Sequence, residues 1–186
     1  MRTIRALYND AIEEERKKML ILKRRVYKTY PYAKMTAEKL VQLNTTMDKL
    51  KTKKEKKKYF KIVEKYLQEE FEPRLKKLSR KDGQILVKLI YRQTGETTFD
   101  LIKDYKSGWK AFWSNNTAKL FDINIKEDYQ PFNELEDFYI ESILVTAFRQ
   151  GHLVKQEPAK PIDLKNLAII WRERIEKAKA KKEDKE

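Results

Sequence analysis

Apolar positions recur along this chain at helical spacing. Leu7, Ala11, Met19, Leu22 and Val26 share one face of a helix, with Glu15 in the gap. Pro31 follows. Its ring clashes with the carbonyl four residues back, so the pattern predicts that the helix ends or kinks near Tyr30. A second helix then carries Ala33, Ala37, Leu40, Val41, Asn44, Met47 and Leu50. Thr52 and Glu55 have capping-box spacing and open a third, with a stripe of Phe60, Val63, Leu67 and Phe71 that Pro73 interrupts. Ser79 and Asp82 start a short amphipathic helix of Ile85, Leu86, Leu89 and Ile90, and Gly95 is placed to stop it.

Beyond Gly95, Thr97 or Thr98 caps one helix and Ser107 another, the latter with Trp109, Phe112 and Trp113 on one face. "DINIKEDYQPF" reads as loop. Asn133 and Glu136 open a helix with Phe138, Glu141, Leu144 and Phe148, closed by Gly151. Two prolines mark "HLVKQEPAKP" as a linker. Asp163 caps a last helix whose charged end, "EKAKAKKEDKE", is expected to fray. The expectation is an all-α, single-domain bundle of about six to eight short helices. "IYRQTGETTF" alone has β character, which allows a small hairpin near residues 90–99 as the alternative to helix–loop–helix. Residues 1–151 are read as the helical domain, and 152–186 as a proline-containing linker with a charged C-terminal helix or tail.

Composition narrows the chemistry. The chain has 186 residues and no cysteine, which excludes disulfides and the usual structural zinc site. No apolar run reaches membrane-spanning length. The start, Met1 to Leu7, has no apolar segment of the kind a signal peptide needs. Net charge is +14, and Met1–Leu78 alone holds 23 cations against 11 anions. The basic part is therefore the N-terminal part.

No catalytic set is recognisable, and no cofactor is expected. His152 is the one histidine and reads as a solvent-facing or capping side chain. Ser107 and Lys110 have S-x-x-K spacing without the companion motifs of that chemistry. Glu127, Asp128 and Asp122 could hold a weak divalent ion, but the bland reading is a solvated loop, and no metal is expected. Two features suit an interaction surface. One is the lysine run Lys53, Lys54, Lys56, Lys57 and Lys58, at a helix start where the macrodipole disfavours cations. The other is the aromatic ridge Trp109, Phe112 and Trp113, either core or partner anchor. "RRVYKTYPYAKM" places Tyr27, Tyr30 and Tyr32 among cations. A helix corner turns such rings into the seam and leaves their hydroxyls wet, whereas base stacking needs rings presented in succession.

The strings "RRVYKTYPYAKM", "LKKLSRKDGQILVKLIYRQTGETTFDLIKDYKSGWKAFWSNNTAKLFD" and "EDFYIESIL" together resemble the DUF4294 family of Bacteroidota, over about Leu20 to Phe148. The resemblance implies origin in that phylum and export to the periplasm or cell envelope. The polar start of this chain departs from that pattern and keeps a cytoplasmic location as the alternative. The family supplies no activity and no site residue. The functional expectation is a non-enzymatic, envelope-associated binding or structural protein that docks a protein partner. The alternative is a cytoplasmic nucleic-acid-binding protein using the basic N-terminal half.

Overall fold

Residues 4–66, 69, 73, 77–102 and 123–183 are described by a computed structural model. These residues form six helices and no strand: α1 (Ile4–Lys49), α2 (Lys53–Tyr66), α3 (Arg80–Thr94), α4 (Thr98–Ile102), α5 (Leu135–Arg149) and α6 (Leu164–Glu183). The all-α expectation holds. The hairpin alternative near residues 90–99 does not: Gly95 at φ 76° ends α3, its N–H bonds the Tyr91 carbonyl, and α4 begins at Thr98. The expected break at Pro73 is flanked by residues outside the described set.

The helix does not end at Pro31, one of the two outcomes the pattern allowed. α1 runs through it for 46 residues, about 69 Å at 1.5 Å per residue. Pro31 lies on the exposed face. The buried stripe runs past it on both sides: Val26, Tyr30, Ala33, Ala37 and Leu40 are each at most 2% exposed. A proline in a helix interior costs about 3 kcal/mol. Burying one side chain of valine or leucine size returns about 1.5–3 kcal/mol, so several on one stripe outweigh the defect. Tyr30 shows how firmly the stripe is held. Its ring packs on Phe148 at 5.3 Å. Its hydroxyl donates to the Val154 carbonyl at 3.1 Å and accepts from the Gln156 N–H at 3.0 Å. That hydroxyl is bonded inside the fold, not wet as the corner reading required. Tyr27 and Tyr32 pack half-buried against the same core.

The caps form as their spacing predicts. The Glu55 N–H donates to Thr52 Oγ1 and the Thr52 N–H to Glu55 Oε2, at 3.2 and 3.0 Å. Ser79 and Asp82 make the same reciprocal pair. Asp163 Oδ1 accepts from the N–H groups of Lys165 and Asn166. The start of α5 differs. Glu134 is its N-cap without a side-chain bond, while Asn133 turns back to Gln130 Oε1. α6 includes most of the charged C-terminal string, through Glu183.

α1, α3 and α5 run parallel around the core. Arg25 and Lys28 meet Asp82 at one end of the α1–α3 pair, and Asn44 meets the Leu101 carbonyl just past the other. α2 doubles back on α1, burying Val63 and placing Tyr66 under the Lys39 ammonium. α3 is the central helix. The sequence pattern makes it amphipathic, but Val87, Lys88, Arg92 and Gln93 are buried along with its apolar stripe. α6 is held by Trp171, which stacks on Phe138 at 5.3 Å and donates its indole N–H to the Pro131 carbonyl at 2.7 Å.

Candidate interaction surface and the buried charge ladder

The outer face of α2 is built by helical geometry. Val63 is buried, and Tyr59, Phe60 and Tyr66 pack half-buried beside it. At 100° per residue the opposite side carries Lys54, Lys58, Lys61 and Lys65, with Lys57 at its edge. All five are exposed. Among residues whose side chains are described, Lys54, Lys57, Lys58 and Lys61 meet no ion-pair partner, and Lys65 reaches Glu69 at 3.8 Å. Lys53 and Lys56 are exposed too, but they project from the first turn toward other azimuths. So the structure gathers three of the five lysines singled out in the sequence and adds Lys61 and Lys65. Glu55, in the first turn, answers the helix dipole, and the hydrogen bonds from Thr52 hold its carboxyl below the usual range.

Trp109, Phe112 and Trp113 lie outside the described residues, as do Ser107, Lys110 and Asp122. Glu127 accepts from Asn124 and Asp128 from Gln130. No group of three potential metal ligands occurs among the described residues. His152 is exposed, with Nδ1 3.2 Å from the Tyr27 hydroxyl. No described helix is long and apolar enough to cross a membrane.

Sequence reasoning missed a buried ladder between α3 and α5. Lys88 Nζ lies 2.7 Å from Asp137 Oδ1. One turn further, Arg92 grips Glu141 with two parallel bonds of 2.7 and 2.9 Å. Both rungs join residues 49 apart in sequence, which fixes the parallel register. The Tyr129 hydroxyl lies 2.8 Å from Glu141 Oε2 and 3.0 Å from the Asp137 carbonyl. Burial, helped by the Glu141 charge, pushes the Tyr129 phenol well above its ordinary range, so it stays neutral. Burial draws the Lys88 ammonium down, but the Asp137 bond and charge outweigh it and hold the pKa above normal. The same contest, with Glu141 as partner, leaves Arg92 raised.

These charges are spent on one another. A cavity of about 270 Å³ beside Arg92 and Tyr129, walled by Tyr91, Pro131, Phe132 and Pro161, thus meets a guanidinium already engaged by Glu141. The one hint in sequence was charge at four-residue spacing inside apolar runs, "LVKLIYRQ" and "EDFYIESIL".

The arrangement defines a class: an all-helical scaffold with a self-neutralised polar core and a basic outer helix. The family model "Domain of unknown function (DUF4294)" matches residues 3–146, and the chain belongs to that family. Neither the curated proteins nor the solved structures give a match.

Proposed function

We propose that this chain is a non-enzymatic binding or structural protein that docks a protein partner through the outer face of α2. An envelope location and an origin in Bacteroidota are part of the same proposal, drawn from the family. The observation that supports it is the lysine face itself: Lys54, Lys58, Lys61 and Lys65 stand in line on a helix whose apolar side is used up against the core. The excess of cations in the N-terminal part also suits the alternative, a cytoplasmic nucleic-acid-binding protein.

One experiment separates the two. A photo-crosslinking residue replaces Lys58 in the native host, and adducts are resolved after cell fractionation. A protein adduct in the envelope fraction supports the proposal. A nuclease-sensitive adduct in the cytoplasm supports the alternative. Loss of all adducts overturns both uses of this face.

A further inference from the structure

Resting on that reading, we infer that the occupant of the α2 face is an acidic amphipathic helix of the partner protein. Lys54, Lys58, Lys61 and Lys65 follow one another at axial steps of about 6, 4.5 and 6 Å, a straight row of about 16 Å. That is the i, i+4, i+7, i+11 repeat of an α-helix. A second helix lying along α2 with Glu or Asp at the same repeat meets each ammonium in turn. Lys65 already pairs with a carboxylate of its own chain at four-residue spacing.

Ile62 lies beside the row. It is 58% exposed and sits at the edge of the row, within about 60° of Lys58 and Lys65 around the helix. An isoleucine beside phosphates gains nothing, but against a partner helix it buries apolar surface next to the charge row. Nonspecific single-strand binding uses aromatic platforms between cations. The rings of α2, Tyr59, Phe60 and Tyr66, are packed against the core instead. A membrane surface fits no better, because the apolar side of α2 is the side facing α1. Charge sets direction and register, and the isoleucine contact discriminates a helix from a generic polyanion.

The test uses the full chain and three fluorescent probes at physiological salt. The first is a helical peptide with Glu at i, i+4, i+7 and i+11 and Leu along one edge. The second is its scrambled isomer, and the third is a short DNA duplex. The patterned peptide is expected to bind at least about tenfold more tightly than the scrambled one, a difference set by register because composition is equal. Ile62→Ser should weaken the patterned peptide severalfold and leave duplex binding unchanged. Lys58→Glu with Lys61→Glu should abolish peptide binding, and a peptide carrying Lys at the facing positions should restore it. Equal binding of both peptides overturns the inference, as does preference for the duplex. If that happens while position 58 still crosslinks to protein, the docking face stands and the acidic helix does not. If position 58 yields no protein adduct, the underlying reading has failed.

Discussion

Glu141→Leu is the sharpest probe of what holds α3 and α5 in register. Arg92 and Glu141 are each 3% exposed at their side chains, and their contact is bidentate. Removing the carboxylate leaves a buried guanidinium whose remaining acceptors among the described residues are the Gln93 side-chain oxygen and the Gln156 carbonyl, at 3.2 and 3.3 Å, with the Phe148 ring 6.0 Å away. Tyr129 keeps the Asp137 carbonyl but loses its carboxylate partner. Orphaning one member of a buried pair costs about 3–5 kcal/mol. A domain has about 5–15 kcal/mol in total, so the variant should be marginal at room temperature. Replacing both members, Arg92→Met with Glu141→Leu, removes the orphan and should recover most of the loss, because paired burial itself contributes little net energy. Urea denaturation followed by far-UV circular dichroism, run as a double-mutant cycle, measures the coupling. An osmolyte that strengthens burial keeps the single variants in range if they unfold. A loss below about 1 kcal/mol for Glu141→Leu, or a double variant no better than the single, would refute the view that the ladder is a committed pair.

Pro31→Ala restores an exposed helix-interior N–H and should stabilise the protein by about 1–3 kcal/mol in the same denaturation assay; a loss would mean the ring itself supports the helix. Asp82 gives a pH test. Burial pushes its carboxyl up, but the bonds from Lys28 and Ser79 outweigh this and leave it below its ordinary value. Its contribution is therefore complete above the unfolded value of about 3.9 and disappears as pH falls through the lower folded value. The stability gap between the wild type and Asp82→Asn should hold constant at neutral pH and close only in acid below about pH 4. A gap that closes nearer neutrality refutes the assignment.

Local chemistry was readable where a residue and its partner sit within one turn. Thr52 with Glu55, Ser79 with Asp82, Gly95 after Thr94, and Asp163 before α6 all act within about four residues, so spacing alone predicts them. Pro31 misled because its local penalty is real, while the burial that outweighs it comes from α3 and α5, elements the local pattern does not contain. The ladder was hidden for the same reason. A Lys88 or Arg92 in a periodic run reads as an exposed face until Asp137 and Glu141 are known to lie opposite. The lysine face lay between these cases. The run from Lys53 to Lys58 stands out by charge density, but the aligned row extends to Lys65 and omits Lys53 and Lys56, a distinction that needs the inward direction set by Val63.

The row also has an energetic cost, which yields a last prediction. Like charges three or four residues apart on a helix destabilise it by about 0.2–0.5 kcal/mol per pair. The α2 row contains such pairs at 54–57, 54–58, 57–61, 58–61 and 61–65. Together they weaken the helix by about 1–2.5 kcal/mol, offset by the burial of Val63 and the capping box at Thr52. Neutralising Lys58 and Lys61 together removes four of the five pairs. At low salt the double glutamine variant should therefore be more stable than the wild type by about 1 kcal/mol, and the gain should shrink as salt screens the row. Thermal melts at two ionic strengths measure both effects. A fold that needs these ammonium groups for packing would instead lose stability on neutralisation, at either salt, and the lysines would then belong to the scaffold and not to a docking face. Stability gained together with loss of binding to the patterned acidic peptide would mark the row as a feature kept for binding against the preference of the helix that carries it.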